Sequence, residues 1–544
     1  MQNFNAMKNK LIIRLLPFLI ILFISISSCR KDFQDLNTNP YALTKASDGS
    51  MFNTIISSLH VDFGEKMYMN NEVLYKQTQL ATLSNEAWSN ITVATEEVWK
   101  NYYQTLALAR ELQDRWSTMD DKSPAINNMR AMLKIIIAYK TFKVTDLFGD
   151  IPYSEAGLGY KDATKLHPKF DSQESIYKSL LNDLKWADEH ITIAVNAEPL
   201  TSFIRFDKLF TGDMSMWQRF ANSLRLRHAM RMCEVDLPSA TTIVSDVLSN
   251  DRPLLRGLDM GGYPYNDNAS LWPIKIGYKS GTAFEAHKYV RMGTNIWHQM
   301  SESDSTDGSG IYDPRAYLFF ETNGETPQIW RAYPQHPDLN TAPEGGLPYG
   351  PQRKSDGGYG IKSPECHFSP VNFFLVTDED DVPEILMSAA EVHFLKAEIY
   401  TRGIGVAVDE NKASIEYSNG VIASISFWKD NILLKTKLPQ GSGFASHITI
   451  PPNINGGTVQ DHHDYYKATT TDEKLAVIYG QCWIDLFWQP NEAYALARRT
   501  NMTPREGAPI NHFSFPAPPS EAEYNAINVI SSQGNYTRKV WWNK

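Results

Sequence analysis

The sequence predicts a mostly α-helical fold, interrupted by one long loop-rich region that carries short strands. Two helical stretches and one change of composition carry that prediction. Over residues 44–250 apolar side chains recur at helical spacing, as in Met129, Leu133, Ile136, Ile137 and Val144, which lie three, four and seven apart. From about Ser388 the pattern resumes, with Val392, Leu395 and Ile399 in one stripe. Between the two, residues 251–382 hold 15 of the 31 glycines and 12 of the 29 prolines in about a quarter of the chain. Glycine serves turns that need positive φ, and proline fixes non-helical backbone. Residues 251–387 therefore read as a loop-rich insertion in a single domain, 44–544, since they lack the apolar runs of a self-sufficient sheet.

At the N-terminus, Lys8, Lys10 and Arg14 precede an apolar run from Leu15 to Ile24 and then small residues up to Cys29, the layout of a secretory signal. That run is ten residues long and contains Pro17, whereas a membrane span needs about 20. Ile26-Ser27-Ser28-Cys29 resembles the bacterial lipoprotein cleavage box, which implies removal of residues 1–28 and lipidation of Cys29. Removing that segment, which has three basic and no acidic residues, takes the net charge from −10 to −13. So acidic a body argues against nucleic acid and against a polybasic grip on anionic lipid. The membrane contact is left to acyl chains, at about 0.8 kcal/mol per buried CH₂. Residues 29–43, with Asn37, Asn39 and Pro40, read as a lipidated tether.

About six helices fit residues 44–250, several joined by short polar turns that favour antiparallel pairs. Asp171-Ser172-Gln173-Glu174 has the D-x-x-E form of a helix start, with Asp171 as cap. Later helices are expected over Ala413–Trp428 and Glu473–Trp488, and Ser520-Glu521-Ala522-Glu523 reads as a capping box. The apolar end, Val540-Trp541-Trp542, is expected to pack. Cys233, Cys366 and Cys482 are widely spaced and read as small buried hydrophobes rather than a disulfide framework or zinc site. Paired helices at both ends point toward tetratricopeptide-like packing, although no 34-residue repeat is visible.

Five stretches, in order behind the lipobox, resemble the SusD/RagB family of nutrient-binding outer-membrane lipoproteins, and more closely its SusD-like branch. They are Asp32 to Pro40, Thr145 to Ala156, Trp217 to Arg231, Ala389 to Glu398, and Glu492-Ala493-Tyr494 with Arg498-Arg499-Thr500. Each alone is mostly helix-packing residues; their order is the specific signal. The resemblance implies a tetratricopeptide-like helix-pair scaffold with a loop-rich part laid over it. It further implies a surface-exposed, lipid-anchored protein of the outer membrane. Such a protein binds an oligosaccharide, or a peptide in some members, and delivers it to a SusC-like TonB-dependent barrel. No catalysis and no cofactor are implied.

Sugar binding uses flat aromatic faces with Asn, Asp and backbone groups on the hydroxyls. Two loops combine these: Asn85-Glu86-Ala87-Trp88-Ser89-Asn90, and Tyr263-Pro264-Tyr265-Asn266-Asp267-Asn268 followed by Trp272. The candidate ligand residues are therefore Asn85, Trp88, Tyr263, Tyr265, Asn266 and Trp272, against the plainer reading that Trp88 and Trp272 pack on the scaffold. Arg225, Arg227 and Arg231 could hold an acidic sugar, but buried pairing with carboxylates across helices is the stronger reading. Glu391 and Glu398 likewise read as structural, and Asp461-His462-His463-Asp464 as a solvated loop rather than a metal site. No nucleophile elbow, phosphate loop or zinc-protease motif is present. Two other readings stay open: a lipid-anchored glycoside hydrolase with two carboxyls about 5–9.5 Å apart, and a purely structural lid of the transporter.

Overall fold

The computed structural model describes residues 46–83, 91–120, 122–257, 267–272, 290–337, 341, 366–372, 383–429, 449–529 and 536–544. Gly49–Lys544 group as one compact unit and Met1–Asp48 as another. Six long helices build the first half: α1 (Asp48–Ser57), α2 (Ile91–Trp116), α3 (Pro124–Phe148), α4 (Gln173–His190), α5 (Met214–Met232) and α6 (Leu237–Ser249). A π-helix, Glu65–Leu74, runs into the short helix Tyr75–Thr78 between α1 and α2. The second half adds α7 (Ala389–Arg402), α8 (Glu410–Ser426), α9 (Thr471–Asp485) and α10 (Pro490–Thr500). Sequence neighbours pack together, α2 on α3, α3 on α4, α5 on α6 and α7 on α8, and α7 also meets α5 where the halves join. Connections as short as 117–123, 233–236 and 403–409 return the chain against the helix it has just left.

Local chemistry sets most of the ends. Ser123 accepts the Ile126 amide with Pro124 in the first turn of α3, and Thr470 with Glu473 closes a capping box on α9. Gly149 stops α3 at φ 80°, its amide bonded to the Thr145 carbonyl at 2.7 Å. Two expected starts differ. Ser172, not Asp171, caps α4, because the Asp171 carboxylate takes the amides of Tyr153 (3.0 Å) and Ser154 (2.8 Å) and so ties two turns together. Ser520 lies inside the short helix Pro519–Tyr524, which starts at Pro518 without a side-chain cap.

The strands are short antiparallel pairs: β1 (Thr82–Leu83) with β5 (Val290–Arg291), β2 (Ile151–Pro152) with β3 (Phe170–Asp171), and β4 (Ala269–Leu271) with β6 (Glu384–Met387). Two hydrophobic clusters form the core. One joins the inner faces of α1 to α6 with Val392, Leu395 and Ile399 of α7 and with Trp542. The other packs Trp297, Phe319 and Trp330 of the loop-rich region against α8 and α9. Cys233, Cys366 and Cys482 are buried and free.

A buried ionic lock crosses between helices. Arg227 of α5 holds both carboxylate oxygens of Glu391 on α7 and the Leu386 carbonyl (3.1 Å). Arg231, a turn later, joins Asp146 of α3 to Glu492 of α10. Asp146 also takes the indole N–H of Trp542 (2.7 Å) and the Tyr177 hydroxyl. Arg225 pairs with Asp246 at 2.5 Å, and Glu398 is held by Arg499 and Arg402. These arginines and glutamates are scaffold.

Candidate ligand site at Trp272

Of the residues singled out for ligand binding, Trp272 lies in the described part of the chain. Asn85, Trp88, Tyr263, Tyr265 and Asn266 lie outside the described residues, as does the lipidation candidate Cys29. Trp272 directly follows β4 and is 43% exposed. Its neighbours serve the scaffold. Asn268 is buried and accepts the Ala389 amide (2.7 Å) at the start of α7, and Asp267 accepts from Arg256 at 3.0 Å.

The backbone leading into Trp272 is fixed by strand pairing. Leu271, fully buried, pairs with Glu384 of β6, and Glu384 in turn takes the Val61 amide (3.3 Å) and the Lys66 ammonium (2.7 Å). Burial pushes His60, the neighbour of Val61, down to about 4, so its ring is neutral at physiological pH. An exposed indole on so firmly held a strand end is a preorganised flat surface. The other predicted aromatic segment, around Trp88, follows β1, whose Leu83 is paired with Val290 of β5.

His60 also lines an open cavity of about 320 Å³ formed by α1, the 57–65 segment, α2 and α3. Leu59, Val98, Leu108 and Tyr139 supply apolar walls, and Thr54, Ser57, Asn101 and Gln104 supply hydroxyl and amide groups. Two lysines of α3, Lys140 and Lys143, and two carboxylates, Asp62 and Glu65, bring charge. Asp62 is tied by the Asn101 amide (2.5 Å) and the Glu65 backbone amide (2.8 Å), while Glu65 pairs with Lys143 at 2.5 Å. Such a mixture of apolar wall and directed polar groups suits a polyhydroxylated ligand.

Sequence reasoning missed this cavity. Its lining comes from three elements far apart in the chain, and the one local sign was Lys140 and Lys143 interrupting the apolar stripe between Ile137 and Val144. At the Asp461–Asp464 stretch, the expected solvated loop is only half right. His462 stacks on Tyr312 at 3.8 Å and His463 accepts or donates to the Tyr312 hydroxyl at 2.9 Å, so the pair packs against the loop-rich region. Among the described residues no group of three or more His, Cys, Asp or Glu side chains is arranged to hold a metal ion, and no helix is long and apolar enough to cross a membrane.

Helix pairs with a loop-rich overlay, carrying an exposed tryptophan and a polar cavity, match a scaffold of the SusD type. The chain belongs to the SusD-like family described as "Starch-binding associating with outer membrane", whose model matches residues 40–512. Solved structures with the same fold include a SusD homologue from Parabacteroides distasonis, 20% identical with a TM-score of 0.66, covering 92% of this chain and 98% of that one. A chitin-binding SusD homologue from Flavobacterium johnsoniae is 20% identical with a TM-score of 0.64, covering 91% of this chain and 98% of that one. A third, described as a chitin-binding protein, is 20% identical with a TM-score of 0.66, covering 91% of this chain and 99% of that one. No curated protein matches the chain significantly.

Proposed function

We propose that this protein is a glycan receptor, held at the outer membrane by acyl chains on Cys29, that captures an oligosaccharide or polysaccharide and passes it to a SusC-like TonB-dependent barrel. The observation that carries the reading is Trp272, an indole 43% exposed on a clamped strand end, in a chain whose family is described as starch-binding. Stacking covers the apolar face of a pyranose ring, and the amide and hydroxyl groups beside His60 take its hydroxyls. Residues 44–544 act as one receptor body behind the 29–43 tether. Asn85, Trp88, Tyr263, Tyr265 and Asn266 are the further residues proposed to bind the ligand.

The role is binding, not hydrolysis. A glycosidase needs one carboxyl free to give a proton and another free to attack or to activate water. Both carboxylates at the cavity are committed, Glu65 to Lys143 and Asp62 to Asn101 and the Glu65 amide. Calorimetric titration of the full-length chain in detergent with starch, chitin and other oligosaccharides, and with peptides, tests the reading. One glycan class should bind, and Trp272→Ala should weaken it at least fivefold, the loss of about 1 kcal/mol of aromatic contact. Binding of peptides alone, or of nothing in the panel, would sink the proposal.

A further inference from the structure

The cavity carries a charge that the aromatic surface does not use. Lys140 reaches into it from α3, its ammonium donating to the Ser58 carbonyl (2.6 Å) and hydroxyl (3.2 Å). Among the described residues no carboxylate lies within ion-pair distance of that ammonium, although its fellow cations are matched: Lys143 with Glu65 at 2.5 Å and Lys66 with Glu384 at 2.7 Å. The charged groups that act on Lys140 are Lys143, Glu65 and Asp62. Of these, Glu65 is taken by Lys143, and Asp62 by Asn101 and the Glu65 amide.

An ammonium has three N–H donors, and two acceptors leave one unspent. Burial draws Lys140 down to about 8, the mark of an amine short of negative charge. The same cavity is lined by the apolar groups of Leu59, Val98 and Leu108 and by the hydroxyls and amides of Thr54, Ser57, Asn101 and Gln104. The complementary ligand has an anionic head, a compact body with an apolar face, and several hydroxyls. At about 320 Å³ the space lies at the small end of ligand pockets, roughly 300–1,000 Å³. A single sugar ring is of the size that such a space holds.

We propose that this cavity binds a uronic-acid unit of an anionic glycan, with Lys140 as the partner of its carboxylate. The inference rests on the receptor reading and narrows its ligand class from glycans in general to carboxylate-bearing ones. Calorimetry on the full-length chain in detergent, with sodium D-glucuronate and D-galacturonate against D-glucose and D-galactose, reads it directly. A uronate should bind at least tenfold tighter than its neutral counterpart. At pH 8, buffers of different ionisation heat should reveal net proton uptake on binding. Lys140→Met should abolish both effects. Leu108→Trp, which narrows the space and keeps the ammonium, should weaken uronate binding as well and serves if the first variant does not fold. Equal affinity for charged and neutral sugars, or uronate binding that survives both substitutions, overturns the assignment. A chain that binds neutral oligosaccharides and ignores uronates removes this inference and keeps the receptor; a chain that binds no glycan removes both.

Discussion

Arg227→Met is the sharpest test of what holds the two helical halves together. The guanidinium is 2% exposed, bonded to both oxygens of Glu391 and to the Leu386 carbonyl, with Glu492 at 3.6 Å. Methionine keeps the apolar stem and removes the charge, which leaves Glu391 buried without its main cation. Breaking a buried pair from one side costs about 3–5 kcal/mol, because the surviving charge keeps its desolvation penalty and loses its partner. That is roughly a 10²- to 10⁴-fold change in the unfolding constant. Urea unfolding followed by tryptophan fluorescence measures it. The double variant Arg227→Met with Glu391→Leu distinguishes lost charge compensation from lost packing, since replacing both partners with apolar groups of similar volume is often near neutral. We expect it to recover most of the loss. A single variant within about 1 kcal/mol of the parent, or a double variant no better than the single, would refute the claim that this pair locks α5 to α7.

Three further predictions follow from single sites. Lys140 has its folded value lowered from 10.5 to about 8, so the folded state binds fewer protons than the unfolded one between those limits, and this group's penalty, full below about pH 8, is relieved as pH rises toward 10.5. The stability of the parent relative to Lys140→Met should therefore improve between pH 8 and 10.5, by up to about 3 kcal/mol at about 1.4 kcal/mol per pH unit, as read from urea midpoints at each pH. Gly149→Ala should cost about 1–3 kcal/mol, because φ is +80° there and a Cβ would stand 2.8 Å from Nη2 of Arg538; thermal melting checks it, and an unchanged midpoint would contradict the strain. Thr470→Ala should cost about 1 kcal/mol through loss of the capping box with Glu473, and Thr470→Ser should restore most of it.

How far the sequence could be read depended on whether the signal was local. Periodicity is local, so α3 and α7 were legible. Asp171 was misassigned as a cap because the competing use of its carboxylate, on the Tyr153 and Ser154 amides, depends on a chain reversal that no short window contains. The pairing of Arg225, Arg227 and Arg231 was legible as a class, since three arginines on an apolar helix must find carboxylates. Their partners, Asp246, Glu391, Asp146 and Glu492, were not, because they lie up to 261 residues away. The aromatic, amide-rich stretch that made Trp272 a candidate is local too, and the structure leaves that residue exposed. The cavity could not be read, for its walls meet only when α1, α2 and α3 pack.

The lock and the cavity share one element, and this gives the lock a functional consequence. α3 carries Lys140 and Lys143 on the cavity side and, three residues beyond Lys143, Asp146 in the lock. Residues three and four apart on a helix stand one turn from each other, so the register in which Arg231 and Trp542 grip Asp146 also sets how far the two ammonium groups project. The helix has little freedom to adjust, being buried along most of its length, and packed interiors resist small displacements. Val61, which also lines the cavity, donates its amide to Glu384, which pairs with Lys66 as well, and the β4 strand paired with Glu384 leads directly into Trp272. The cationic wall and the exposed indole are thus each referred to the same buried frame, one through Asp146 and the other through β6, the strand that leads into α7 and Glu391. Loosening the lock should therefore weaken ligand binding even where the fold survives, because it loosens the frame behind both the cavity lysines and the strand pair that leads to Trp272.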